Sequence, residues 1–281
     1  MDYGIIAFVL LVLIIIAVFV ILVKPKKMTE EQKKQFGEKF YAHRGLYKQE
    51  QTVPENSATA FKLAMRKGYG IELDVRLTKD KQVVVFHDEG LKRACKVEKT
   101  KVRKLTYEEL QSYELFGTRE KIPLLSQVLE ETEGSVPLLI NMRCTAGEQA
   151  QAEEIAEKTY EVLKDYGGNC AVASTEPAAV AWFKRNAPEI LRGMISGGYR
   201  EKSKRLSGFQ RFMRRNLFYN CKVSPHFISC DISETDAVGL KLCKSIMKVP
   251  IVGWTAREEF DTAKLREYFD VLCFEFYEPK A

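Results

Sequence analysis

The chain opens with its sharpest hydropathy step: nineteen apolar residues run unbroken from Ile5 to Val23 and stop at Lys24-Pro25-Lys26-Lys27. A helix of about 20 residues crosses the hydrocarbon of a bilayer, so this pattern predicts one transmembrane helix. Asp2 precedes the run and lysines follow it, the reverse of a cleaved secretory peptide, so a retained anchor is expected. Lys and Arg favour the cytoplasmic flank, which places Lys24 and the rest of the chain that follows on the cytoplasmic side of the cell membrane. An uncleaved anchor carrying an external domain is the alternative. Met28 to Lys39 is rich in Glu, Gln and Lys and reads as a linker or a short surface helix.

From Phe40 onward, short apolar runs alternate with longer amphipathic ones. Strands are expected at Phe40 to Ala42, Ile71 to Val75, Leu138 to Ile140, Ala171 to Ala173, Leu191 to Ile195, Phe227 to Cys230, Ile251 to Trp254 and Val271 to Phe274. Helices fill the intervals: Ser57 to Lys67, Leu124 to Glu131, Gly147 to Tyr166, Pro177 to Arg185, Met213 to Tyr219, Glu234 to Met247 and Phe260 to Phe269. Eight strands in a βα rhythm predict an α/β fold of the TIM (β/α)8 barrel type. Val83 to Phe86 follows the second strand too closely to be its parallel neighbour, because a parallel crossover needs a dozen or more residues. Residues 79–121 are therefore read as a small insertion after the second strand. The expected organisation is an anchor with basic flank over residues 1–27, a linker over 28–39 and a barrel over 40–281.

The length of 281 residues suits one such barrel, for which about 250 residues is usual. Seven scattered cysteines without CxxC pairing suit reduced thiols better than a disulfide framework or a zinc site. A net charge of +6 is modest, and no nucleic-acid partner is expected. One segment, Arg200 to Arg215, concentrates basic residues among Phe209, Phe212 and Leu217, and reads either as a membrane-surface element or as a solvated barrel helix.

Candidate chemistry gathers at the strand ends, where barrels of this type keep their active sites: His43, Glu72, Asp74, Asn141, Ser174, Asp231 and Trp254 all end expected strands. Glu72 and Asp74 are two apart in an apolar run, so on a strand both carboxylates leave the same face and can grip one hard divalent cation, Mg2+ or Ca2+. Buried and unpaired they would be costly. Arg44 offers a planar fork for two phosphate oxygens, with Arg143 as a second candidate. His226 reads as a structural or surface residue and not a ligand, and Glu55 and Asn56 as caps of the first barrel helix, with contact of Glu55 to metal or substrate as the alternative.

Read in order, Ala42-His43-Arg44-Gly45, Pro54-Glu55-Asn56, Glu72-Leu73-Asp74 and His87-Asp88, followed by Ile122-Pro123-Leu124-Leu125 and Gly253-Trp254-Thr255, resemble the glycerophosphodiester phosphodiesterases, over roughly Phe40 to Pro279. The resemblance implies metal-dependent hydrolysis of a glycerophosphodiester or a lysophospholipid to glycerol 3-phosphate or a lysophosphatidate and an alcohol. It also implies that His43 and His87 form the acid/base pair, that the glycerol hydroxyl attacks first through a cyclic phosphate, and that Trp254 stacks on the alcohol portion. Where relatives read Glu-x-Lys, this chain has Asn141-Met142-Arg143. The positive charge survives at Arg143, but the third metal ligand becomes the neutral amide oxygen of Asn141. Glu275 lies near the chain's end as a possible replacement carboxylate. A catalytically weakened relative that binds phosphodiester or phospholipid headgroups as a sensor or scaffold is the alternative.

Overall fold

The computed structural model describes residues 3–36, 40–197 and 206–279. Among these residues nine strands form: β1 (Phe40–His43), β2 (Gly70–Leu77), β3 (Val83–Val85), β4 (Leu138–Met142), β5 (Cys170–Ser174), β6 (Leu191–Ser196), β7 (Phe227–Asp231), β8 (Ile251–Ala256) and β9 (Val271–Phe274). All but β3 are parallel neighbours, and β1 pairs with both β9 and β2, closing an eight-stranded barrel. The helices are α1 (Tyr3–Val23), α2 (Glu30–Phe36), α3 (Ala58–Arg66), α4 (Lys92–Cys95), α5 (Tyr107–Leu110), α6 (Leu125–Thr132), α7 (Gln149–Leu163), α8 (Pro177–Asn186), α9 (Gly208–Arg215), α10 (Asn220–Val223), α11 (Val238–Ser245) and α12 (Thr262–Tyr268).

Side chains alternate across each strand, which builds two cores from one sheet. Ile71, Leu73 and Val75 of β2 pack outward under the helices, with Leu138, Ile140 and Val172 beside them. Leu139, Ala171, Ala173, Leu191, Phe227 and Cys273 fill the barrel interior. At Gly193 a side chain would start 2.1 Å from the Phe227 ring, so glycine there makes room for that filler.

The antiparallel return expected after β2 is β3, whose Val83 pairs with Leu77 and Val85 with Val75. The segment that follows has its own small core of Val84, Phe86, Leu91, Val102, Leu110, Leu115 and Ile122.

Three local expectations change. The polar stretch after the apolar helix α1 forms α2, but Phe36 and Met28 are buried against Tyr41 and Phe227 and plug the barrel floor. The helix expected at Met213 to Tyr219 runs instead from Gly208 to Arg215, because Ser207 and Gln210 make a capping box that starts it early, and Leu217 at φ +62° ends the turn. The helix expected from Glu234 begins only at Val238. Of the basic run, Arg200, Lys202, Lys204 and Arg205 lie outside the described residues.

Candidate active site

At the C-terminal end of the strands opens a cavity of about 620 Å³, and His43, Arg44, Glu72, Asp74, His87, Asn141, Arg143 and Trp254 all line it. Strand register brings them together: His43 of β1 is level with Glu72 of β2, and Asp74 of β2 with Asn141 of β4. Because residues two apart on a strand share a face, both carboxylates point inward while their apolar neighbours point out.

The two carboxylates are treated differently. Asp74 lies 3.2 Å from Arg44 Nε and 3.4 Å from Arg143 Nε, and accepts hydrogen bonds from Asn141 Nδ2 at 3.0 Å and Asn56 Nδ2 at 3.3 Å. Burial works against its charge, but His87, Arg143 and Arg44 together hold its carboxyl well below the usual carboxylate range. Glu72 has weaker company, the Arg44 amide at 3.3 Å and His43 Nε2 at 3.6 Å. Burial, with the Asp74 charge added, pushes its carboxyl up.

Each histidine has its own carboxylate. Glu275 Oε1 sits 2.6 Å from His43 Nδ1 and also accepts a 2.7 Å hydrogen bond from the Tyr47 hydroxyl, while Arg257 Nη2 holds Oε2 at 3.2 Å. Burial disfavours the charged form of His43, yet Glu72 on one nitrogen and Glu275 on the other outweigh it, and the imidazole is shifted upward. Glu275, buried but bonded to His43, is pulled down to about 2. His87 is the opposite case. Asp88 Oδ1 lies 2.6 Å from its Nδ1, and the Arg143 guanidinium meets its Nε2. Burial lowers its affinity for a proton and the Arg143 cation lowers it further, so the net shift is downward despite Asp74 and Asp88.

Around this centre runs a ring of charge. Arg44 Nη1 donates to Glu55 Oε1 at 2.9 Å, and Arg93, from the segment after β3, makes a fork to both Glu55 oxygens. Glu55 is thus a wall of the cavity and not a helix cap; Ser57 caps α3. Asn56 holds Asp74, donating to its carboxylate and accepting from its amide. Arg44 itself adopts φ +57° and Gly45 φ +81°, a tight turn at the end of β1 that aims the guanidinium across the mouth. Trp254 Nε1 is buried with no hydrogen-bond partner among the described residues, a donor available to a bound molecule. Ser174 Oγ donates to the Met142 carbonyl and accepts from the Glu176 amide, and His226 is buried on the floor, accepting from the Arg192 amide.

A divalent cation fits this donor set. Among the described residues the buried Glu72 carboxylate receives no guanidinium hydrogen bond, and Asn141 Oδ1 is buried without a partner. Among the described residues no three His, Cys, Asp or Glu side chains gather as ligands, so the third oxygen would come from the Asn141 amide, as hard cations accept. Glu275 is engaged with His43, Tyr47 and Arg257 and stands as an orienting group.

The cavity also contains residues that the sequence did not single out: Tyr47, Arg93, Arg257 and Phe276. Asp88, which pairs with His87 from the next position, was legible in the His87-Asp88 motif.

Residues 43–269 match the glycerophosphoryl diester phosphodiesterase family. A glycerophosphodiester phosphodiesterase of Caldanaerobacter subterraneus is 36% identical over 163 residues, 55% of this chain and 65% of that protein. Human lysophospholipase D GDPD1 is 36% identical over 125 residues, 40% of this chain and 38% of that protein. This chain thus spans less than two-thirds of the length of either relative. Among solved structures, an Oleispira antarctica phosphodiesterase in complex with sn-glycerol-3-phosphate superposes with a TM-score of 0.68 at 22% identity, over 86% of this chain and 94% of that one. A structure from Silicibacter pomeroyi gives 0.69 at 17% identity, over 86% of this chain and 93% of that one. These likenesses carry the barrel fold.

Proposed function

This chain belongs to the glycerophosphoryl diester phosphodiesterase family, and on that premise we propose that it hydrolyses glycerophosphodiesters or lysophospholipids, with His43 and His87 moving the protons. The observation that carries the reading is the pair of imidazoles in opposite electrostatic settings within one cavity. His43 has a carboxylate at each nitrogen, which favours the imidazolium and suits a general acid that protonates the leaving alcohol. His87 has Asp88 at Nδ1 and a guanidinium at Nε2, which favours the neutral ring and suits the base that takes the attacking oxygen's proton.

Arg44 and Arg143 supply forked donors for the phosphate oxygens. A Mg2+ or Ca2+ ion held by Glu72, Asp74 and Asn141 would neutralise charge on those oxygens. Trp254 and Phe276 offer apolar faces to the alcohol portion. The division into an anchor over 1–27, a linker over 28–39 and a barrel over 40–281 with its insertion near 79–121 belongs to the same proposal. In it α1, long and apolar enough to span, fixes the enzyme to the cell membrane, and the lysines after it set the barrel on the cytoplasmic side.

A second reading, a headgroup-binding relative with weakened catalysis, is favoured by one observation: Asn141 stands where a carboxylate would strengthen the cation site, leaving Asp74 shared between two arginines. The purified full chain, given glycerophosphocholine or a lysophospholipid with Mg2+, Ca2+ or chelator, should release glycerol 3-phosphate or lysophosphatidate only with metal. Binding without turnover under every metal would establish the second reading instead.

A further inference from the structure

The apolar helix α1 does not end in a loose tether. Val23 is fully buried, and its carbonyl accepts a 2.9 Å hydrogen bond from Asn220 Nδ2 and a 3.5 Å one from the Cys243 thiol. Lys26 N donates to the Pro225 carbonyl at 2.8 Å. One turn earlier the Phe19 ring meets Phe218 edge to face at 5.2 Å, and Phe218 in turn meets Phe212 of α9 at 5.7 Å. A continuous aromatic chain therefore runs from the apolar helix to α9, and these contacts set the direction of α1 against the barrel wall.

On α9, positions 209 and 212 lie one turn apart on a single face. Phe209 is 71% and Phe212 55% exposed, and Val238 at the start of α11, across a shallow groove from Phe212, is 62% exposed. The opposite face of α9 is fastened down. Arg214 is buried, donates to Glu176 Oε2 at 2.9 Å and to the Thr175 carbonyl at 3.0 Å, and Thr175 lines the catalytic cavity. Arg215 pairs with Asp236 before α11. Large apolar side chains held outward on a braced helix, continuous with an apolar helix at its exit, mark a membrane-facing surface. Phe19 lies four residues before the end of α1, about 6 Å along its axis, which is within the depth of roughly 5–10 Å that interfacial helices reach.

We infer that Phe209, Phe212 and Val238 form a plate that inserts into the phospholipid leaflet receiving the C-terminal end of α1, holding the β5–β6 rim of the catalytic cavity against the lipid. The cavity's own polarity agrees. Its β5 and β6 side presents Ala173 and Ile195, whereas the charged groups gather at or just past the ends of β1, β2, β4, β8 and β9, with Glu55, His87 and Arg93 beside them. An amphiphilic phosphodiester entering over the α9 rim meets apolar wall first and delivers its phosphate to the far side. This inference rests on the proposed spanning role of α1.

The test reconstitutes the full chain into phosphatidylcholine vesicles containing lipids brominated along the acyl chains. F212W, read against the native Trp182 and Trp254, should emit at shorter wavelength and be quenched by the bromines. Extraction of the protein by carbonate would remove the spanning role and this inference together. Carbonate resistance with an unquenched Trp at position 212, whether exposed to water or covered by a second copy of the chain, would overturn the plate alone. The double variant F209S/F212S supplies the second readout: turnover of vesicle-borne lysophosphatidylcholine should fall about tenfold with loss of interfacial anchoring, while turnover of soluble glycerophosphocholine stays unchanged. Equal loss on both substrates would refute the inference.

Discussion

Replacing Glu275 by Gln keeps the size of the group beside His43 and removes its charge. Glu275 Oε1 lies 2.6 Å from His43 Nδ1, with both side chains nearly closed to solvent. Two unit charges about 4 Å apart at an effective dielectric of about 20 interact by about 4 kcal/mol. Arg257, on the other Glu275 oxygen, offsets roughly half, leaving about 2 kcal/mol, within the range for a hydrogen bond to a charged group. At 1.36 kcal/mol per unit, the His43 pKa should drop by about 1.5 units in E275Q. A general acid works only while protonated, and His43 is shifted upward in the native site. The alkaline limb of the kcat/KM profile should therefore move to lower pH by about that amount, with the loss greatest at pH values above the native limb. The assay is glycerol 3-phosphate release between pH 5 and about 9. An alkaline limb that stays in place, or moves upward, would refute the assignment of His43 as the acid held by Glu275.

Either H43A or H87A should lower turnover by about 10²-fold or more while leaving the circular dichroism and melting temperature close to the parent's, and near-parental rates in both would remove the mechanism. N141E adds a carboxylate between β2 and β4; calcium affinity by titration calorimetry should rise about tenfold, and an unchanged affinity would take Asn141 out of the cation site. Glu275 is held at about 2 in the fold against an ordinary 4.5, so its contribution is present above the ordinary value and lost as pH falls through the folded one. Urea unfolding of the full chain should accordingly show stability dropping between pH 5 and about 2, by on the order of 3 kcal/mol from this group, and a smaller drop in E275Q. G45A meets both a positive φ of +81° and a Cβ contact of 2.8 Å with Ala60, so it should cost about 2 kcal/mol or more in the same measurement.

Much of the candidate site was legible along the chain, because local spacing carries it. Glu72 and Asp74 declare a shared face by standing two apart in an apolar run, and the sequence motifs around His43 and His87 fall within one short stretch ahead of Lys121. The βα rhythm, the hairpin return at Val83 and the apolar span at Ile5 to Val23 follow from periodicity alone, which depends only on neighbouring residues. Helix boundaries were less legible: α9 starts at Gly208 because the Ser207 and Gln210 side chains close a capping box, a choice among several possible starts in a polar stretch.

What the sequence alone determined is therefore the barrel strands and the main helices between them, their order, and the acidic and imidazole groups at their ends. Tertiary structure decided which of those groups are paired. Glu275 stands 232 residues from His43 and reaches it only because β9 pairs with β1 to close the barrel. Arg93 meets Glu55 across 38 residues, Phe36 finds the barrel floor, and Phe19 finds Phe218, each through packing of distant elements. The two histidines look alike in the sequence; only the closed barrel sets a carboxylate against each nitrogen of one and a guanidinium against the other, because electrostatic environment is a property of positions in space.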